Sequence, residues 1–337
     1  MSDRACPPKA ASVDVVIPMH NCEHYLDECV NSILTQTLVP TTVVLVDDCS
    51  TDNSCEVAER LALNSQVDVV VLRLESNVGP GAARNIGLTR CSSEFVWFVD
   101  ADDRADCNFI STMTSSIGHA DFGVCRTRRI DEDGGLDEID EPPFLNNSVS
   151  GTGYAHMLLT GRARAYPPTK LFRRSRLGYA PWDERRCYED FAPTLRMSLA
   201  ARTVSLVNCP LYQYRRRSNS SSMVFSENTF GLLAMHEDVL SLLHERGLRT
   251  QWDRQVLDFT YREVLIPLAN MAMRAEHNDP VSSVARQLIS RARADVSNRV
   301  RLADLMKLAT AGKPGIAIRG ALLTATPGIY SRILRWR

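Results

Sequence analysis

Short apolar runs and longer periodic stretches alternate along the first hundred residues. Val13 to Pro18 is a β-branched run closed by proline and polar residues, which predicts a buried strand leading into a loop. Leu26, Val30, Ile33 and Leu34 follow at helical spacing, so Tyr25 to Gln36 predicts an amphipathic helix. Further strands are expected at Val43–Val46, Val67–Leu74 and Phe95–Val99. Helices are expected from about Asn53 to Ala62, capped by Ser50 or Thr51, and from Ala82 to Thr89. Apolar strands alternating with helices of about three turns imply βαβ units and a parallel sheet.

After Phe109 the alternation weakens. Asp131 to Pro143 is acidic and contains glycine and proline, the composition of a loop or hairpin. Thr203 to Tyr214 is strand-like. From about Ser226 the pattern is helical, with Leu232, Leu233, Val239, Leu240, Leu242 and Leu243 on an apolar face. Pro314 and Pro327 divide the last fifty residues into short helices. A chain of 337 residues is long for one core, so two structural units are expected.

Charge narrows the partners. A net charge of -1 carries no nucleic-acid footprint. Arg286 to Arg337 holds eleven Lys/Arg against two acids, Asp295 and Asp304. Ile316, Ile318, Leu322, Leu323, Ile329, Tyr330, Ile333, Leu334 and Trp336 lie between those charges. Such an end suits a peripheral contact with an anionic membrane, a solvated bundle or an oligomer contact. No apolar run reaches the roughly 18 residues of a membrane span, and Met1 to Ser12 lacks the apolar core of a signal peptide. The expected location is cytoplasmic, at most peripheral at the inner face of the cell membrane. Ten cysteines without a C-x-x-C pair are expected to be free thiols in a reducing compartment.

Candidate chemistry gathers at the predicted strand ends, where open α/β sheets bind ligands. Polar residues cluster at Pro18–Asn21, Asp47–Asp52, Glu75–Asn77 and Asp100–Asp103. The last cluster sets three carboxylates within four residues behind an apolar run. Their repulsion is relieved by a hard cation such as Mg²⁺ or Mn²⁺, which in turn can hold a diphosphate. A solvated acidic turn is the other reading. Gly79, Gly81 and Gly87 suit tight turns and close packing. Lys170 to Arg176 and Arg215 to Arg217 are basic clusters expected on a solvated face, and His20 and His24 are expected to be structural or surface residues.

Taken together, these segments resemble the inverting GT-A glycosyltransferases of family 2. The resemblance rests on Val15-Val16-Ile17-Pro18-Met19-His20-Asn21, Ser32-Ile33-Leu34-Thr35-Gln36-Thr37 and Val46-Asp47-Asp48-Cys49-Ser50-Thr51-Asp52. It continues through the segment Asn77 to Gly87, the D-x-D run Phe98-Val99-Asp100-Ala101-Asp102-Asp103, and Tyr188-Glu189-Asp190. It covers roughly residues 13 to 220 and implies the GT-A nucleotide-diphospho-sugar transferase fold, a Rossmann-like mostly parallel sheet with a C-terminal helical region. Residues 1–225 would form the transferase domain, with 1–115 binding the nucleotide sugar and 116–225 the acceptor. Residues 226–337 would form a basic helical region.

The activity implied is metal-dependent, inverting transfer from a nucleotide-diphosphate donor to an acceptor hydroxyl. The family's commonest donors are UDP-hexose and UDP-N-acetylhexosamine. Cell-surface polysaccharide or glycoconjugate synthesis is the expected setting, with a glycan, polymer or lipid-linked acceptor. By the same resemblance Asp102 is the ligand of Mn²⁺ or Mg²⁺, which stabilises the leaving diphosphate. Asp100 lies near the ribose or metal-bound water, and Asp103 supports them. Asp48 and the backbone at Pro18 meet the nucleobase, with Asp52 either in that pocket or capping a helix. Arg84 falls on the position facing the donor; its alternative is a surface charge or a partner for the carboxylates. Asp190 is the general base, an effect worth roughly 10²–10⁴ in rate, with Glu189 beside it for the acceptor. The alternative is that both acids only begin a helix from Phe191, where they complement its dipole. Tyr212-Gln213-Tyr214-Arg215 with Ser218 to Ser222 resembles a segment that folds over the diphosphate, where Arg215 would contact phosphate.

Three rival readings are weaker. A dinucleotide-dependent dehydrogenase would want G-x-G-x-x-G after its first strand, whereas Gly79-Pro80-Gly81-Ala82-Ala83-Arg84 follows the third and ends in arginine. A sugar-phosphate nucleotidyltransferase would want a Gly/Arg-rich loop where this chain has Met19-His20-Asn21-Cys22. A non-catalytic scaffold on the same fold is disfavoured by Asp48, Asp102 and Asp190 occurring together.

Overall fold

Val13–Met19 forms β1, and all seven of its residues are buried. A strand covered on both faces must be apolar throughout, which is why this run is continuous instead of alternating. The computed structural model describes residues 11–132, 137–185, 187–216, 224–276, 282–325, 328 and 330. Pro327, Arg217 and the Ser218–Ser222 run fall outside them.

The predicted alternation is realised, with ends shifted by a residue or two. α1 is Glu23–Leu34, β2 Thr42–Asp47, α2 Ser54–Asn64, β3 Asp68–Arg73, α3 Pro80–Leu88 and β4 Phe95–Phe98. β5 (Arg104–Ala105), α4 (Phe109–Ile117), β6 (Phe122–Ile130), β7 (Glu138–Ile139), β8 (Ser148–Ser150) and α5 (Gly151–Leu159) follow. β9 (Lys170–Arg173), α6 (Phe191–Ala200) and β10 (Thr203–Arg215) complete the sheet region. The strand order is β3-β2-β1-β4-β9-β6-β10-β5, with β7 on β6 and β8 on β10. β3, β2, β1 and β4 run parallel, as do β6 and β10, while short β9 lies antiparallel between β4 and β6.

Helices cover both faces of the parallel strands. α1 buries Leu26, Cys29, Val30 and Ile33, one helical stripe, in a core with Val13, Val15, Ile17 and Trp97. α3 takes the other face, where Gly87 lies so close to Val16 and Val46 that a Cβ would collide. Asp14, 1% exposed within β1, accepts from the amides of Ser92 and Ser93 at 2.7 and 2.8 Å and from the Ser93 hydroxyl at 2.7 Å. That buried carboxylate ties the start of β1 to the turn before β4. The basic cluster expected on a solvated face is partly interior: Lys170 is fully buried, its Nζ donating to the Tyr166 carbonyl at 2.7 Å and to Thr169 Oγ1 at 3.2 Å.

The chain divides into two compact units, each drawn from three stretches: 1–154, 165–184 and 197–216 in one, 155–164, 185–196 and 217–337 in the other. The sheet belongs to the first. The second contains α7 (Gly231–Glu245), α8 (Asp253–Phe259), a π-helical turn at Thr260–Leu265, α9 (Ile266–Glu276), α10 (Ser283–Arg299), α11 (Leu302–Thr310) and α12 (Pro314–Ala325). α7 buries Leu232, Met235, His236, Val239, Leu242 and Leu243. The expected Leu233 and Leu240 are only half-buried, because the helical period brings Met235 and His236 inward instead. The basic end is extensively paired: Arg291 with Glu227, Arg293 with Glu276, Arg299 with Asp295, Lys307 with Asp253 and Lys313 with Asp258. Leu302, Met306 and Ile318 remain exposed on it. Among the described residues no helix is long and apolar enough to cross a membrane, and nine cysteines are free thiols.

Candidate active site

Parallel pairing aligns the carboxyl ends of β1, β2 and β4, with Met19 opposite Asp47 and the Val99 amide donating to the Val16 carbonyl at 2.9 Å. The strand order reverses between β1 and β4, since β2 and β3 lie on one side of β1 and β4 on the other. A crevice opens at such a switch point because the adjoining loops leave in opposite directions. Pro18, buried in β1 beside Val46, lines that end of the sheet.

The loops after β1 and β2 are stitched together. Asn21, in the left-handed conformation at φ 49, accepts from the Thr51 amide at 2.8 Å, and its own amide donates to Ser50 Oγ at 3.1 Å. His20 Nδ1 donates to the Asp48 carbonyl at 2.9 Å. Asp52 serves two helix starts: Oδ2 accepts from the Glu23 amide at 3.1 Å, and Oδ1 accepts from the Ser54 amide and hydroxyl at 3.0 and 2.5 Å. Partial burial pushes its carboxyl up, yet the hydrogen bonds from Ser54 and Glu23 outweigh this and hold it below the ordinary range. Asp52 thus satisfies the first amides of α1 and α2, while the cap position of α2 falls on Asn53 and not on Ser50 or Thr51.

Asp48 is 3% exposed, and its two oxygens accept from the backbone amides of Val78 and Gly79 at 2.7 and 2.8 Å. Asn77 Nδ2 donates to its carbonyl at 3.2 Å. Gly79 stands at φ 91 immediately before Pro80, the first residue of α3. Glycine adopts that conformation without a Cβ penalty, and proline is tolerated at a first helical position. Asp48 thus pins the start of α3 to the end of β2.

Arg84, 3% exposed, points from α3 to the acid turn, with Nη2 donating to Asp100 Oδ1 at 2.7 Å. Its guanidinium carbon lies 5.6 Å from the Trp182 ring centre. Asn85 brackets the same tryptophan: Nδ2 donates to its carbonyl at 2.9 Å and Oδ1 accepts from its amide at 3.1 Å. Trp182 also meets Phe98 edge to face at 5.2 Å. The contact between Asn85 and Trp182 spans 97 residues, and no local pattern in the sequence signals it.

The acid turn divides three ways. The Asp100 side chain is 29% exposed and paired with Arg84, and its amide donates to Tyr212 Oη at 3.3 Å. Asp103, 2% exposed, accepts from Tyr212 Oη at 2.7 Å and from the Arg215 amide at 2.7 Å. Burial, then the charges of Asp102 and Asp100, raise its carboxyl well above the ordinary range. Asp102 is half-buried, and its carbonyl accepts from Arg215 Nε at 3.1 Å. Arg215, 7% exposed, also reaches Glu28 and the Glu132 carbonyl and lies over Tyr25. The structure engages this guanidinium within the protein, on a staple joining β10, α1 and the acid turn.

Among the described residues no three His, Cys, Asp or Glu side chains are grouped so as to hold a metal ion by themselves. Mg²⁺ and Mn²⁺ sites in phosphoryl chemistry usually draw one or two carboxylates from the protein and the rest from phosphate and water. Half-buried Asp102, with Asp100 beside it, fits that donor set; Asp103, turned inward, does not join it.

Glu189 and Asp190 belong to the second unit. Glu189 is buried and Asp190 half-buried. The Asp190 carbonyl accepts from the Thr194 amide at 3.0 Å, which makes Asp190 the residue that starts α6. Tyr188 before it has φ 62.

Comparison with known proteins agrees with this frame. Residues 14–178 match the family described as Glycosyl transferase family 2. Glycosyltransferase GlyA of Streptococcus pneumoniae serotype 4 is 31% identical over 271 residues, 77% of this chain and 38% of GlyA. The poly(ribitol-phosphate) beta-N-acetylglucosaminyltransferase TarS of Staphylococcus aureus is 29% identical over 219 residues, 62% of this chain and 36% of TarS. The alignments therefore span well under half the length of those two relatives. The crystal structure of TarS residues 1–349 with UDP-GlcNAc superposes with TM-score 0.63 at 21% identity, covering 93% of this chain and 90% of that one. The mannosyltransferase PcManGT of Pyrobaculum calidifontis, in complex with GDP-Man and Mn²⁺, gives TM-score 0.52 at 14% identity over 97% and 90%. Both share the GT-A fold.

Proposed function

The chain belongs to glycosyl transferase family 2 and is a glycosyltransferase, and we propose that it moves a sugar from a UDP-sugar to an acceptor hydroxyl with inversion, using Mn²⁺ or Mg²⁺. The observation that carries this reading is the acid turn after β4: Asp102 half-buried, Asp100 fixed by Arg84, and Asp103 tied down behind them.

In this reading the nucleotide lies at the switch point, against Pro18 and the loop pinned by Asp48. Asp48 acts on the donor chiefly by holding the Val78 and Gly79 amides in place. Arg84 acts by orienting Asp100. Asp102, with Asp100, would hold the divalent ion, whose charge offsets that of the departing diphosphate. Asp190 takes the proton of the acceptor hydroxyl as its oxygen bonds to the anomeric carbon. The bond to the diphosphate breaks on the opposite face, which inverts that centre. Glu189 is assigned to the acceptor. Arg215 supports the acid turn, and direct phosphate contact is not part of this reading.

UDP-N-acetylglucosamine is the donor to try first, because a TarS structure holds it and the fold is shared. A polymeric or lipid-linked glycan of the cell surface is the proposed acceptor class, by analogy with the polymer in the TarS name. The test incubates the full chain with Mn²⁺ and a panel of UDP-, GDP- and dTDP-sugars, following nucleotide release, and in parallel with nucleoside triphosphates and sugar 1-phosphates. UDP release that is lost in Asp102→Ala, and reduced at least a hundredfold in Asp190→Asn with UDP binding intact, is expected. Consumption of a nucleoside triphosphate and a sugar 1-phosphate, with none of the nucleotide sugars used, would overturn the proposal in favour of a nucleotidyltransferase.

A further inference from the structure

Among the described residues the helical region touches the loop around Glu189 and Asp190 through Gly231, Met271, Phe259 and Asp238. Gly231, the first residue of α7, lies so near the Cys187 carbonyl and the Tyr188 ring that a Cβ would stand 3.2 Å from each. Tyr188 Oη donates to Met271 Sδ of α9 at 3.7 Å. Phe191, the first residue of α6, packs on Phe259 of α8 with ring centres 4.5 Å apart. Arg185 pairs with Asp238 of α7. Between these contacts Tyr188 holds φ 62. A bulky aromatic avoids that conformation, and it persists only where the surroundings over-determine it.

We propose that the C-terminal helices position the acid pair. Gly231 makes room for the Tyr188 ring, Met271 receives its hydroxyl, Phe259 fixes the first residue of α6, and the Asp238 pair anchors the loop's start. The left-handed turn at Tyr188 then sets the path by which the chain enters α6, two residues before Asp190. Consecutive Cα atoms are 3.8 Å apart, so relaxing one dihedral at Tyr188 displaces Asp190 by a distance of that order. A misplacement of about 1 Å can cost roughly a hundredfold in rate. This inference rests on Asp190 being the base. It gives Gly231, Asp238, Phe259 and Met271 a role in the reaction through the loop that they hold.

The test uses the full chain with Mn²⁺ and the nucleotide sugar that the unaltered protein turns over in the panel, together with calorimetric titration of UDP. Tyr188→Ala and Gly231→Val should lower kcat at least tenfold while UDP affinity and donor KM stay within twofold. Tyr188→Phe, which keeps the ring, should restore most of the rate. Asp238→Arg should slow turnover, and combining it with Arg185→Asp should recover it. This exposed pair carries the test if Gly231→Val fails to fold. Wild-type kcat in Tyr188→Ala and in Asp238→Arg would overturn the inference, as would a loss of UDP affinity in step with kcat. Asp190→Asn separates the two ideas. If it turns over normally, the base assignment fails and this inference with it. If it is inactive while Tyr188→Ala is unimpaired, only the positioning role fails.

Discussion

Arg84 Nη2 donates to Asp100 Oδ1 at 2.7 Å, joining the second turn of α3 to the residue that follows the last apolar position of the β4 run. The pair is asymmetric in exposure, 4% for the arginine side chain and 29% for the aspartate. A charge buried on one side only depends on its partner, since removing either leaves the other uncompensated.

Arg84→Ala should therefore destabilise the first unit by about 1–3 kcal/mol, the cost of leaving a partly buried acceptor without its donor. Arg84→Lys should recover only part of this, because a lysine lacks the planar group that lies over Trp182. Urea unfolding of the three proteins at one pH measures it. Equal stability of the lysine variant and wild type would show that the planar contact contributes nothing.

Asp48 accepts two backbone hydrogen bonds at the start of α3. Asp48→Ala should free both amides and loosen the 77–79 loop, lowering UDP affinity at least tenfold. Asp48→Asn, which keeps one acceptor, should fall between it and wild type. Calorimetric titration with UDP and Mn²⁺ tests the order; equal affinity in all three would separate this loop from the donor site.

Gly87 faces Val16 and Val46 without room for a Cβ, which would stand 3.0 Å from Val46 Cγ2 and closer still to Val16 Cγ1. Gly87→Ala should destabilise by about 1–3 kcal/mol through overpacking, despite alanine's better helix propensity. Pairing it with Val16→Ala should relieve part of the loss. Thermal melts of the single and double variants decide between crowding and propensity.

Asp103 carries a carboxyl raised well above the ordinary range by burial and by Asp102 and Asp100. A group raised on folding binds its proton more tightly when folded. Its stabilisation is complete below the unfolded value of about 3.9 and is lost as pH rises through the folded value. Asp103→Asn removes this slope, so the variant should gain on wild type as pH rises from 4.5 to 8. Urea midpoints across that range, with EDTA present, would sink the assignment if the two curves stayed parallel.

Much of the frame was legible locally. The strand and helix positions of the first hundred residues follow from hydrophobic period, and the polar strand ends from the abrupt close of each apolar run. Gly87 packs closely against Val16 and Val46, as a glycine within a helical segment suggests. The side-chain partners were less legible. Lys170 and Arg215 sit in basic clusters that suggest a solvated face, yet both are buried, because a long cation can enter the interior wherever carbonyls and acids meet it. Asp52 accepts from the amides of Glu23 and Ser54 at two helix starts, and the first of these partners lies 29 residues away, beyond any local pattern. Asn85 and Trp182 carried no local signal, since neither the amide nor the indole breaks a pattern in its own segment.

By itself, the sequence determined the order of elements, the apolar stripes and the cluster of acids behind β4, because each depends on residues within a few positions of one another. Tertiary structure alone decided that Asp103 turns inward to Tyr212, 109 residues away, and that Asp100 meets Arg84. It also set the loop before Asp190 against Gly231 and Met271. Those choices depend on which distant groups burial brings within hydrogen-bonding reach. Periodicity in one segment carries no information about the donor or acceptor that another segment presents to it.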